Sequence, residues 1–143
     1  MLKPLDFRID ATIVEKRKTQ SHIQRNSEYF YKLAWFMHFK YVAPKIVKPR
    51  DQLLVIAASI GTKKRQRGIR LGIADVVNQV TPISRWEVGF WPANSDPCLQ
   101  VADYCTWAIQ RKWEKNDTRS YDLIKDKIVS EYDIFKTGST YYY

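Results

Sequence analysis

The sequence predicts a single α/β domain, and three observations carry that expectation. Apolar residues alternate over Phe7–Val14, run unbroken over Leu53–Ala58 and alternate again over Arg85–Trp91, as strands require, and helical spacing fills the segments between. The resulting order (strand, helix, strand, helix, strand, helix, helix) fits one layered architecture. A chain of 143 residues with 45% apolar and 14% aromatic side chains has the size and core-forming content of one domain, residues 1–143.

In the first strand Phe7, Ile9, Ala11 and Ile13 share one face, and Arg8, Asp10 and Thr12 share the other. The polar stretch Lys16–Arg25 reads as a loop. Asn26 or Ser27 caps a helix, Glu28 suits its positive end, and Tyr29, Phe30, Leu33, Ala34, Phe36, Met37 and Phe39 supply its apolar stripe. Pro44 and Pro49 are expected to end it. The run Leu53–Ala58, between Asp51 and Gly61, is expected to be a strand covered on both faces. A second helix runs from about Lys64 to Gln79 through Ile69, Ile73, Val76 and Val77, against the low helix propensity of Gly68 and Gly72. In the third strand Trp86, Val88 and Phe90 face one way.

Ser95-Asp96-Pro97 is a helix start, a capping acid followed by proline at the first helical position, and this helix should reach Lys115. Asn116-Asp117 is expected to open a last helix through Leu123, Ile124, Ile128 and Val129. The tail Gly138–Tyr143 is short and aromatic. Three strands are few for a sheet of this kind, which commonly has about four to six, so further strands or a partner are expected to complete it.

The formal charge of +9 is unevenly placed: residues 1–70 carry 16 Lys/Arg against 5 Asp/Glu, residues 71–143 carry 8 against 10. A basic half points to a polyanionic partner, nucleic acid being the commonest, and a solvated surface that keeps the chain soluble is the alternative. No run of about 18 apolar residues could span a membrane. The start, Met1-Leu2-Lys3-Pro4-Leu5-Asp6, lacks the apolar core of a signal peptide, so the expected compartment is the cytoplasm. Cys98 and Cys105 lie seven residues apart on a helix, about 10.5 Å along its axis. A disulfide needs Cα atoms within about 7 Å, so both are expected reduced and buried. With His22 and His38 they make no zinc spacing. Gly61-Thr62-Lys63-Lys64 lacks the earlier glycine of a phosphate-binding loop, and two scattered histidines support no nucleophilic triad.

Two constellations could carry chemistry. On the helix after Asp96, Gln100, Asp103, Trp107, Gln110, Arg111 and Glu114 share a polar sector, opposite Leu99, Ala102, Ile109 and Trp113. Gln100 and Asp103 are surface neighbours, and a carboxylate beside an amide could bind a hard cation, with Asp96 as a second acid. Alternatively this is the wet face of the helix and Asp96 only caps it. The second constellation is Lys63-Lys64-Arg65-Gln66-Arg67-Gly68-Ile69-Arg70, in which Lys63, Lys64, Arg65, Arg67 and Arg70 could neutralise phosphates without reading sequence. A solvated basic loop is the alternative. Trp107 is placed to stack on a base, whereas Trp35, Trp86, Trp91 and Trp113 fit a core better.

The stretch LQVADYCTWAIQRKWEKND resembles the C-terminal signature of the bacterial Domain of Unknown Function 3800 family, whose hallmark Gln-x-x-Asp is here Gln100-Val101-Ala102-Asp103. The likeness continues through Ser120-Tyr121-Asp122-Leu123-Ile124 and, upstream, through Ile9–Lys16, the aromatic helix and Leu54–Ser59. It implies a ribonuclease-H-like mixed sheet flanked by helices, and a magnesium-dependent nuclease acting on phosphodiesters. Asp103 would then be a catalytic metal ligand and Gln100 its companion, with Asp96, taken from the residues alone, as the second catalytic and metal-binding acid. The family's opening strand, with its Asp-Glu-Ser-Gly-like motif, has no counterpart here, so the N-terminal strands are expected to be missing. Two-metal catalysis needs several carboxylates around ions about 4 Å apart. Two other outcomes stay open: a non-catalytic nucleic-acid-binding or interaction domain using the basic half, and an inactive truncated remnant.

Overall fold

The computed structural model describes residues 5–58, 62–80, 83 and 85–135, so the tail Gly138–Tyr143 lies outside the described residues. The elements are β1 (Ile9–Ile13), α1 (Ser21–Arg25), α2 (Ser27–Ile46), β2 (Gln52–Ala58), α3 (Lys63–Gln79), β3 (Arg85–Trp91), α4 (Pro97–Lys115), α5 (Tyr121–Ile124) and β4 (Ile128–Asp133). The architecture is mixed α/β. The strands do not form the expected single mixed sheet: among the described residues β1 pairs with β4 and β2 with β3, each pair parallel and separate. β2, α3 and β3 make the strand–helix–strand crossover that a parallel pair needs.

Local chemistry sets most boundaries. Asn26 caps α2, its side-chain oxygen accepting from the Glu28 and Tyr29 N–H groups at 3.0 and 3.3 Å. Thr62 caps α3, and Asp96 caps α4 with Pro97 behind it. α4 ends at Asn116 in the left-handed conformation (φ 53°), which Asn tolerates better than most residues.

Four expectations about elements need correction. The Lys16–Arg25 stretch is not all loop, since it holds a 3₁₀ turn at Lys16–Lys18 and then α1. α2 runs through Pro44 to Ile46, because a proline in the last turn removes only one intrahelical bond, that to the Lys40 carbonyl. Ile128 and Val129 belong to a strand, not a helix: α5 stops at Ile124, and the β-branched pair feeds β4 alongside β1. β2 is not covered on both faces, for Leu54 is 63% exposed.

Buried side chains fall in three groups. Phe39 and Ala43 of α2 meet Ile69, Ile73 and Val76 of α3 and Val88 of β3. Cys105, Ala108 and Ile109 of α4 meet Ile124 and the apolar face of β1, including Ile9, Ala11 and Ile13. Met37 of α2 packs with Ile134 and Phe135 just past β4. Cys105 is buried as expected, which pushes its thiol pKa up, but Cys98 is exposed. Trp91 and Trp113, expected in a core, are nearly half exposed, and Ala102 also faces solvent.

The closest approach between helices explains the two glycines that weaken α3 on propensity alone. A Cβ on Gly68 would collide with the Glu28 carbonyl oxygen, and one on Gly72 would stand 2.7 Å from that of Lys32. α2 and α3 therefore cross backbone to backbone. In a solvent-exposed helix Gly→Ala gains about 1 kcal/mol. Here Gly68→Ala is expected to lose a net 1–3 kcal/mol or so, as overpacking does, seen as a lower midpoint in urea denaturation. A raised midpoint would contradict the crossing.

Glu131 ties β4 to α4 and α5. Its carboxylate accepts from Lys112 Nζ at 2.9 Å, Trp113 Nε1 at 2.9 Å and the Tyr121 hydroxyl at 3.1 Å. Burial pushes its pKa up, but these three donors outweigh that and hold it below the ordinary 4.5. A carboxylate with a depressed folded pKa adds stability above its unfolded value, and that stability is lost as pH falls through the folded value. Glu131→Gln is expected to cost about 1 kcal/mol at neutral pH and to make the loss of stability below about pH 4.5 shallower, measured by chemical denaturation across that range.

Candidate nucleic-acid interface

The basic run identified in the sequence becomes the first two turns of α3. The Thr62 hydroxyl accepts from the Arg65 N–H at 3.4 Å, and no acidic residue occupies the first turn. Lys63, Lys64, Arg67 and Arg70 are exposed. Positions 63, 67 and 70 follow the spacing of one helical face, so three of these cations form a stripe with Lys64 beside it. Arg65 is different: it is half-buried, its guanidinium sits 5.4 Å from the centre of the Tyr31 ring, and its Nε is buried without a partner among the described residues. Arg67 reaches Glu28 at 3.8 Å, and Arg70 lies over the Phe90 ring at 5.6 Å.

Arg65, on the other side of α3 from that stripe, belongs to a row of cations and rings at the start of α2. Lys16 Nζ lies 5.4 Å from the centre of the Phe30 ring, and Phe30 meets Tyr31 edge to face at 5.9 Å. A cation, two aromatic rings of α2 and a second cation thus follow one another across the start of α2. Positive charge at a helix N-terminus adds to the positive end of the helix dipole, so the potential there attracts anions while it weakens the helix locally.

The structure treats the α4 residues differently. Asp96 caps the helix, one carboxylate oxygen accepting from the Cys98 N–H at 2.7 Å and the Leu99 N–H at 3.2 Å. Asp103 lies seven residues on, about 10.5 Å along the axis, too far for these two carboxylates to share one ion. Gln100 and Asp103 do lie together, in an open depression on α4 with Tyr104 and Trp107, and the Gln100 amide donates to the Asn94 carbonyl at 3.3 Å. Trp107 is 46% exposed, as expected, with the Arg111 guanidinium 5.6 Å from its ring centre. Among the described residues no group of three or more His, Cys, Asp or Glu side chains is placed to hold a metal ion. Asp103 brings one carboxylate to this depression and Gln100 one side-chain amide.

Sequence reasoning missed a polar cluster on β1. Arg8 donates twice to Asp10, at 2.8 and 2.9 Å, Ser130 donates to Asp10 at 2.6 Å, and Thr12 Oγ1 shares a 2.8 Å hydrogen bond with His38 Nδ1 of α2. The Arg8 bonds, helped by Ser130, hold the Asp10 carboxyl below its ordinary range, and burial lowers the pKa of His38 against the pull of the Asp10 charge. The signal was present in the alternation of Arg8, Asp10 and Thr12, which gives the strand a polar face. Nothing in the sequence showed that α2 would cover that face.

No family model, curated protein or solved structure matches this chain. No helix among the described residues is long and apolar enough to cross a membrane.

Proposed function

We propose that this chain binds nucleic acid through phosphate contacts along the first turns of α3, without reading base sequence. One observation carries the reading: Lys63, Lys64, Arg67 and Arg70 are exposed together at the positive end of a helix whose first turn holds no acid. The excess of basic residues in the first 70 positions supports it, because phosphate neutralisation needs clustered cations and little else. Binding to a labelled oligonucleotide, followed by fluorescence anisotropy, should weaken steeply with salt, with a log–log slope of about −3 to −4 for four phosphate contacts. The double variant Lys63→Glu/Arg70→Glu should bind at least about tenfold more weakly at low salt and with a slope shallower by about 2. Undiminished binding by that variant would refute the reading.

A second reading is magnesium-dependent phosphodiester hydrolysis, with Asp103 as metal ligand and Gln100 orienting it or the substrate. It is favoured by the shared depression of these two side chains beside the exposed Trp107, and the resemblance to the Domain of Unknown Function 3800 family supports it. Asp96, engaged as the α4 cap, is not part of this site. Cleavage of the same oligonucleotide should then require magnesium and disappear in Asp103→Asn. Cleavage that survives the substitution, or binding without cleavage in the presence of magnesium, excludes this second reading and leaves the first.

A further inference from the structure

We propose that the open crevice between α1, α2 and α3 receives an unpaired nucleobase, so that the nucleic acid held by α3 is single-stranded. The inference rests on the phosphate-binding reading and adds the form of the ligand. The crevice has a volume of about 480 Å³, within the range of small-ligand sites. Its apolar lining comes from Ile23 of α1 and Leu33 and Phe36 of α2, and its polar groups include Asp75 and Gln79 of α3. Tyr29, at the start of α2, also lines it and is 55% exposed, although its spacing belongs to an apolar stripe. A ring left open to solvent beside an apolar recess is what base stacking uses, and a carboxylate with a side-chain amide can meet the hydrogen-bonding edge of a splayed base.

Charge complementarity joins the crevice to the basic stripe. Two ion pairs cross from α2 to α3, Glu28 with Arg67 at 3.8 Å and Lys32 with Asp75 at 3.0 Å. Glu28 and Lys32 are one turn apart on α2, so Arg67 and the crevice lie along the same side of the helix pair. Arg67 precedes Asp75 by eight residues, about 12 Å along α3. A strand whose phosphates follow Lys63, Arg67 and Arg70 therefore runs beside the recess, and Lys32 offsets the negative charge that Asp75 brings near it. In a duplex the bases are stacked and paired, and none can enter without being flipped out.

The test compares a short fluorescein-labelled single strand with its duplex by anisotropy, using the parent chain, Tyr29→Ala and Tyr29→Phe. The single strand should bind more tightly than the duplex. Tyr29→Ala should weaken single-strand binding by about tenfold and leave duplex affinity and the salt slope unchanged, whereas Tyr29→Phe, which keeps the ring, should bind as the parent does. Equal affinity for the two forms, with Tyr29→Ala neutral, would overturn the crevice assignment and leave the phosphate-binding reading standing. Failure to bind either form at low salt would overturn both.

Discussion

The contact on which the rest depends is the backbone-to-backbone crossing of α2 and α3 at Gly68 and Gly72. Only residues without a side chain allow that approach, and the approach fixes the rotation of α3 about its own axis. With the glycine side turned to α2, Ile69, Ile73, Val76 and Val77 enter the core, and positions 63, 67 and 70 are left to solvent. The stripe of exposed cations and the buried apolar stripe are thus two consequences of one orientation. The flanking pairs Glu28–Arg67 and Lys32–Asp75 are partly solvent-exposed, and pairs of that kind contribute little. Close packing, not ion pairing, sets the crossing.

The two longest helices after α2 obey opposite electrostatic rules. α4 begins with the Asp96 cap and carries Lys112 and Lys115 in its last turn, so its charges complement the helix dipole. α3 has three consecutive cations at its positive end, no acid in its first turn and no base in its last. Each of those choices weakens the isolated helix by a few tenths of a kcal/mol or so. A local rule broken in one helix and kept in another of the same chain is expected where function, rather than folding, selects the residues. α3 breaks that rule, and α4, whose Asp96 caps its first turn, keeps it.

Two helix starts and most strand interiors were legible because they depend on neighbouring residues: Asn26 and Asp96 cap through bonds no more than three residues away, and β3 keeps its alternation. What was not legible depends on distant partners. Ile128 and Val129 follow Asn116-Asp117, which reads as a helix start but instead closes α4, and match a helical period; only β1, more than a hundred residues earlier in the chain, makes them a strand. The division into two sheets and the exposure of Leu54 likewise follow from which elements are adjacent in space. Of the candidate site, the basic run was visible as a block of charge, but the crevice was not. Tyr29 carries the same apolar label as Phe39, and a period alone cannot say which of the two is left outside.

The β1 cluster shows where buried polar chemistry is used for folding. Two parallel strands are a marginal sheet, and the register of this one shifts between Ile9 and Asp10. A strand pair with such a shift needs side chains to specify its alignment. Asp10 is the register partner of Ser130 and is also its hydrogen-bond partner, so the same pair that follows the irregularity locks it. Arg8 neutralises the carboxylate, and His38 reaches over from α2 to Thr12 on the same face. With its oxygens committed to Arg8 and Ser130, Asp10 is structural, as Glu131 is through its three donors. Lys63, Lys64 and Arg70 form no ion pair among the described residues. The chain thus satisfies its inward-facing acids with its own donors, while Lys63, Lys64 and Arg70 on α3 stay exposed to solvent.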